Sequence, residues 1–228
     1  MGRAAYCQRS LAAAWPEGGR LCGSTVQERC MTPATGKLVV VSGPSGAGKS
    51  TLVERLMASL GDRVRLSVSA TTRGARPGEQ PGRDYHFMSA EEFARRRQAG
   101  EFLECAEVYP GLWYGTLRSE VTPFLEAGKS VVLEIDVQGA RSVLQQYPQA
   151  VTIFVRPASV DELERRLRSR GTESALDVER RLETARRELE AAGMYRYQVV
   201  NQTGQLEAAV AQLRNILAAE GIAEDTSE

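Results

Sequence analysis

The sequence predicts an α/β fold, a three-layer sandwich in which helices cover both faces of a parallel sheet. Three observations carry this. Short apolar runs recur along the chain: Leu38-Val39-Val40-Val41, Val131-Val132-Leu133 and Val151-Thr152-Ile153-Phe154-Val155. They lack the apolar–polar alternation of a strand with one wet face, so both faces are buried, as in parallel sheets. Helical patterns separate them and supply the crossovers that parallel strands need. The third observation is a glycine-rich turn, residues 43–50, between the first run and the first helix.

Each element has a local reason. The first helix follows the glycine-rich turn through Leu52, Val53, Leu56 and Met57 and stops at Gly61. Arg65-Leu66-Ser67-Val68-Ser69 reads as a second strand, and a loop rich in Gly, Pro and Arg runs to Asp84. Tyr85–Met88 reads as a short strand. Ser89-Ala90-Glu91-Glu92 has the form of a capping box, and its helix ends near Gly100. Phe102–Val108 is strand-like, with Phe102 and Glu104 expected on one face by alternation. Pro110-Gly111 turns the chain into Trp113-Tyr114-Gly115, and a helix is expected over about 117–127. These small paired elements predict an inserted α+β subdomain over 69–118. The strand starting at Ser130 ends in Glu134 and Asp136, and a helix follows. After the run at 151–155, Ser159-Val160-Asp161-Glu162 reads as a second capping box. Its helix carries the i,i+4 pairs Asp161/Arg165, Glu162/Arg166 and Glu164/Arg168; the next carries Asp177/Arg181 and the apolar stripe Val178, Leu182, Ala185, Leu189. Tyr197–Val200 is a last short strand, and a helix over 205–219 closes the fold.

Composition narrows the function classes. A chain of 228 residues holds one large domain that needs no disulfide or metal staple. Lys+Arg and Asp+Glu are both 29, which argues against a nucleic-acid coat or a membrane-surface protein. No apolar stretch approaches the roughly 18 residues of a membrane span. Cys7, Cys22, Cys30 and Cys105 form no C-x-x-C pair and fit reduced thiols in a cytoplasmic protein. His86 is the only histidine, so a His-based triad and a multi-His metal site are excluded. Residues 1–35 lack periodicity and are expected to form a disordered extension; a transit peptide and a translation start at Met31 are the alternatives. The polar residues 220–228 are expected to fray.

Gly43-Pro44-Ser45-Gly46-Ala47-Gly48-Lys49-Ser50 fits G-x-x-x-x-G-K-[ST] in its required context, after a strand and before a helix. The glycines let backbone N–H groups converge on an anion at the helix N-terminus. Lys49 brings a mobile charge to the β- and γ-phosphates, and the Ser50 hydroxyl offers a ligand to Mg²⁺. This is the signature of a P-loop NTPase-type fold that binds a nucleoside triphosphate. Ligands sit at the C-terminal ends of parallel strands. Ser69 with the Arg73/Arg76 loop, and Glu134 with Asp136, fall there too. The two carboxylates are candidate metal ligands with Ser50, directly or through water. Arg73 and Arg76 could fork onto one phosphate.

The ordered set is more specific than any single motif. Residues 43–51, Ser67-Val68-Ser69-Ala70-Thr71-Thr72-Arg73, Gly82-Arg83-Asp84-Tyr85, Tyr114-Gly115-Thr116, Leu133-Glu134-Ile135-Asp136-Val137-Gln138-Gly139 and Arg170-Gly171-Thr172-Glu173 together resemble guanylate kinase over about 36–219. The resemblance implies an inserted monophosphate-binding subdomain, a helical lid over 165–192, and transfer of a phosphoryl group from Mg²⁺·ATP to GMP by a monomer or homodimer. It places the GMP phosphate at Arg73, Arg76, Tyr85 and Tyr114, and the base at Ser69, Glu104 and Thr116, with Asp136 also on the GMP side. One carboxylate can accept from both N1–H and the exocyclic amine of guanine, whereas adenine offers an unprotonated N1 there. ATP is implied at Gly43–Thr51, with Asn201 near the adenine. Catalysis is implied to fall to Lys49, Arg73, Arg166, Arg170 and Arg181, whose cations meet the charge of the transferring group. Gln202-Thr203 departs from the acidic residues common in the family at that point. Alternative readings are an inactive guanylate-kinase-like binding module, which should show an eroded phosphate loop, and a kinase of the same fold for another monophosphate. A GTPase switch is disfavoured: Asp136-Val137-Gln138-Gly139 mimics D-x-x-G, but no N-K-x-D follows.

Overall fold

Five parallel strands form the main sheet in a computed structural model that describes residues 36–169 and 175–222. The readings made for residues 1–35, for Arg170 and for the last six residues lie outside these, as does the side chain of Asp177. The strands are β1 (Leu38–Ser42), β2 (Val64–Leu66), β7 (Ser130–Glu134), β8 (Val151–Arg156) and β9 (Tyr197–Val200), in the order β2-β7-β1-β8-β9. Every neighbouring pair is parallel.

The period-2 geometry of strands splits their apolar residues between two cores. Val39, Val41, Val132, Ile153 and Val155 face one side, against α1 (Lys49–Leu60) and α7 (Leu206–Ala219). Leu38, Val40, Val131, Leu133 and Phe154 face the other, against α4 (Val137–Gln146) and Tyr195. The expected three-layer α/β sandwich is the observed one. A third cluster joins Leu163 and Leu167 of α5 (Val160–Ser169) to Val178, Leu182 and Ala185 of α6 (Ala175–Glu190), so these helices hold each other.

A second sheet comprises β3 (Ser69–Thr71), β4 (His86–Phe87), β5 (Phe102–Tyr109) and β6 (Leu112–Leu117), in the order β4-β3-β6-β5. Ala70, Phe93, Phe102 and Leu117 pack beneath it, with Phe93 supplied by α2 (Ala90–Gln98).

Three expectations change. The strand read over 65–69 is two strands in different sheets. Ser67 N–H still bonds Val132 O at 3.0 Å, but Val68 N–H turns to the Glu120 carboxylate at 3.4 Å, and the chain crosses there. The same carboxylate takes Arg65 at 2.6 Å and His86 Nε2 at 3.0 Å, so the only histidine ties the two sheets together. The helix expected over 117–127 is a 3₁₀ turn at Arg118–Glu120 followed by the short α3, Thr122–Glu126. Pro123 lacks an N–H and is tolerated only in a first turn, so the helix restarts around it. Finally, Phe102 and Glu104 do not share a face. Phe102 pairs with Leu117 and Glu104 with Thr116, so β5 carries an extra residue, Leu103, as a bulge. Phe102 then faces α2, and Glu104, with Ala106 and Val108, faces a cleft between the sheets.

Candidate active site

The cleft has a volume of about 330 Å³. One wall is the turn between β1 and α1. Gly43 leaves β1 at φ 142°, and a Cβ there would lie 2.0 Å from Val155 O, so only glycine lets the loop start against β8. Gly48 enters α1 at φ 82°, where a Cβ would sit 2.4 Å from Asn201 Nδ2. α1 has neither a side-chain cap nor an acidic residue in its first turn. Its orphan N–H groups and positive dipole end are thus left for an anionic ligand. Lys49 Nζ donates to the Gly43 and Pro44 carbonyls at 2.6 and 3.1 Å, bracing the loop it belongs to.

The floor is the end of β7. Glu134 Oε1 accepts from the Ser50 hydroxyl at 2.7 Å. Asp136 caps α4, its Oδ1 accepting from Gly139 N–H at 2.9 Å, while its side chain also borders the cleft. Among the described residues no group of three or more His, Cys, Asp or Glu side chains could hold a metal. A hydroxyl in contact with one carboxylate, next to a second carboxylate, nevertheless suits Mg²⁺, which keeps water and phosphate oxygens for most of its ligands.

The opposite wall is the small sheet. Arg73 forms a two-pronged ion pair with Glu79, Nη2–Oε1 at 2.9 Å and Nη1–Oε2 at 3.0 Å, and Arg76 N–H donates to the same carboxylate at 2.7 Å. Glu79 raises the Arg73 pKa further, and Arg73 in return lowers that of Glu79. The Arg73 guanidinium stands 5.3 Å over the Tyr85 ring, and Tyr85 meets Tyr114 edge-on. Burial, then the Glu134 charge, raises the Tyr85 pKa, so its hydroxyl stays a donor. Ser69, Thr116 and Glu104 lie in one row across β3, β6 and β5, because Ser69 pairs with Thr116 and Thr116 with Glu104. Glu104 is 6% exposed, and its Oε1 accepts from Thr116 Oγ1 at 2.7 Å. Desolvation pushes its pKa up to about 7; the Thr116 hydroxyl opposes this and the Asp136 charge adds to it.

The structure gathers most of the expected residues around this one cleft: Gly43, Ser45, Gly46, Gly48, Lys49, Ser50 and Thr51 on one side, Ser69, Arg73, Arg76, Tyr85, Glu104 and Tyr114 on the other, with Glu134, Asp136 and Arg181. Pro44, Ala47 and Thr116 are buried and do not line it, although the Thr116 hydroxyl holds Glu104. Arg166 and Asn201 stand elsewhere. Arg166 Nη1 donates to Ala47 O at 3.2 Å and Nη2 to Glu162 at 2.5 Å and to Asn201 O at 2.7 Å. Asn201 Nδ2 donates to Ala47 O at 2.8 Å. In this conformation both brace the back of the phosphate loop.

Glu79 and Glu188 join the site, and Glu162 the contacts behind the phosphate loop, without having been anticipated. Glu162 is 5% exposed and accepts from Arg166, Thr203 N–H at 2.6 Å and the Thr203 hydroxyl. It was read as half of a capping box. The Ser159 half holds, Oγ accepting from Glu162 N–H at 3.1 Å, but the acid is drawn away to these partners. Glu188 of α6 borders the cleft with Thr184. Burial raises its pKa, against the Lys49 charge and the Ser45 N–H, which favour the carboxylate. Nothing local in the sequence marks it.

A phosphate loop, a carboxylate-tipped strand and an arginine-bearing second sheet around one cleft define a P-loop nucleotide-binding protein of the kinase type. The family description "Guanylate kinase" matches residues 35–220, and the chain belongs to that family. A guanylate kinase of Rhodopirellula baltica is 52% identical over 188 residues, covering 82% of this chain and 89% of that protein. One from Rubrobacter xylanophilus is 53% identical over 166 residues, covering 73% and 86%. The crystal structure of guanylate kinase from Anaplasma phagocytophilum matches with a TM-score of 0.68 at 34% identity, covering 85% of this chain and 89% of that one.

Proposed function

We propose that this chain transfers the γ-phosphoryl group of ATP to GMP, giving ADP and GDP. The observation that carries the reading is the position of Glu104: a buried acid on the small sheet that opens into the same cleft as the phosphate loop. The loop amides and Lys49 take the donor's phosphates, and Arg73, Arg76, Tyr85 and Tyr114 take the acceptor's phosphate. Glu104, with Ser69 and Thr116, selects guanine by accepting from its two adjacent N–H donors; a base lacking them leaves a buried acceptor unmatched. Donor and acceptor then face each other, and direct transfer needs no covalent enzyme intermediate. Arg181, and Arg166 once released from Ala47 O, supply positive charge where the transferring group spreads its negative charge. Ser50, Glu134 and Asp136 would hold Mg²⁺, which neutralises phosphate charge when bound with ATP. The smaller sheet, over 69–118, is the GMP-binding subdomain, and residues 165–192 form the lid that keeps water from the reaction.

Among the described residues no helix is long and apolar enough to cross a membrane. The proposed setting is cytoplasmic, with ATP and GMP as partners, no nucleic acid, and a monomeric or homodimeric state. A coupled ADP-release assay with GMP, AMP, CMP and UMP in parallel tests the reading. GMP should lead by a factor of about 10⁴ in kcat/KM, the scale reached by sites that pair a buried group with the correct substrate. Comparable turnover of AMP would remove Glu104 from base selection, and absence of ADP release with GMP would remove the reaction itself.

A further inference from the structure

We propose that Gly139 is a specificity-determining positioning residue: the missing side chain at 139 is the space that the Glu104 carboxylate occupies. Gly139 lies in the first turn of α4 and is buried. Its φ is not positive, so the backbone there suits any residue, and alanine would be the better helix former. The need for glycine comes from the neighbours. A Cβ on residue 139 would lie 2.6 Å from Glu104 Oε2, 3.1 Å from Glu104 Cδ and 3.2 Å from Asp136 Oδ1. The first contact is far inside van der Waals distance, so an atom must move.

Asp136 is tied by its cap to Gly139 N–H. The end of the Glu104 side chain is the softer partner, and it is the group that gives way. It has little room in which to do so: Glu104 is 6% exposed and anchored through Oε1 to Thr116. A methyl group at 139 therefore rotates or lifts Oε2, and with it the plane of the carboxylate. The helix accepts the change and the base pocket does not. The inference rests on Glu104 as the guanine-selecting acid, and its test separates the two.

The variant is Gly139→Ala, and the readouts are GMP and ATP dissociation constants by titration calorimetry, with a thermal melt. The melting temperature should match or exceed that of the parent. GMP should bind about 10²-fold more weakly, the scale of one charge-assisted hydrogen bond lost at a buried acceptor. ATP affinity should stay within about twofold, because the phosphate loop is untouched. The same substitution on a Glu104→Ala background should cost GMP less than about twofold further, since the displaced group is gone. On Glu104→Asp, one methylene shorter, the penalty should shrink, and this pair carries the test if Gly139→Ala alone does not fold. An unchanged GMP affinity, an equal loss for ATP, or a full penalty persisting on Glu104→Ala would overturn the role of Gly139. If Glu104→Ala itself leaves GMP binding intact, the base-selecting acid falls, and this inference with it.

Discussion

Replacing Glu104 by glutamine should make the protein more stable at pH 8 and nearly blind to GMP. The carboxyl is buried and ionises only near pH 7, against an ordinary 4.5. Below about 4.5 the folded and unfolded chains both hold the proton, and burial carries no charge penalty. As the pH climbs towards 7 the unfolded chain gives the proton up while the fold resists. Stability is lost across that window, by about 3 kcal/mol once pH 8 is reached. Glutamine keeps the acceptor for Thr116 and nearly the same volume without the charge. The variant should therefore gain about 3 kcal/mol over the parent at pH 8, with the gap closing towards pH 4.5. Binding moves the other way. Glutamine offers guanine one acceptor and one donor, so one charge-assisted bond is lost and two donors face each other. That is about 3–4 kcal/mol, or 10²–10³-fold in Kd, for GMP alone. Urea melts at pH 5 and pH 8 read the first effect, and calorimetric titrations with GMP and with ATP the second. The parent should also lose GMP affinity about tenfold per pH unit below 7, because only the carboxylate accepts both donors. The variant should keep only the milder dependence of the phosphate itself. A glutamine variant no more stable than the parent at pH 8, or one that loses ATP and GMP alike, would show the reasoning to be wrong.

Two further outcomes test the donor side. Lys49→Ala removes both the cation for the phosphates and the brace to the Gly43 and Pro44 carbonyls, so kcat should fall by at least about 10²-fold in the ADP-release assay; retention of most of the activity would detach the loop from catalysis. Glu162→Ala strips Arg166 and Thr203 of a buried acceptor and should cost about 2–3 kcal/mol in urea unfolding, together with a higher KM for ATP than for GMP; a neutral result would mean that the Arg166 contacts to the loop suffice alone.

What was legible in the sequence was what is local. The phosphate loop is eight consecutive residues, and its strand and helix follow from their own apolar patterns. The small sheet was visible as a set of short elements and its Arg73/Arg76 loop as a phosphate binder, but the roles of Glu104, Thr116, Tyr85 and Tyr114 came only with the resemblance to a family. Contacts across the chain left no trace. Glu162 meets Thr203 and Glu188 meets the phosphate loop, each across far more than a helical turn. The i,i+4 pairs Glu162/Arg166 and Glu164/Arg168 did form, at 2.5 and 2.7 Å. The first of them is buried and reaches the loop, whereas the second is an exposed pair, and spacing alone does not separate the two. Asp161/Arg165 yields only a 3.4 Å contact from Arg165 to the backbone of Asp161. Asp136 was read as a candidate metal ligand on the GMP side, and the structure adds its cap on α4.

The irregularity at Leu103 sets what one strand is able to deliver. A strictly alternating β5 would aim Phe102 and Glu104 in the same direction, so the molecule would have either an aromatic ring intruding on the nucleotide or an ionisable group wedged among the Phe93 and Leu117 side chains. With one extra residue on one side of the ladder, the oily anchor and the buried acid leave the same ribbon in opposite directions. The opening of the Glu104 carboxylate into the cleft thus hinges on a miscount in strand pairing, one residue long.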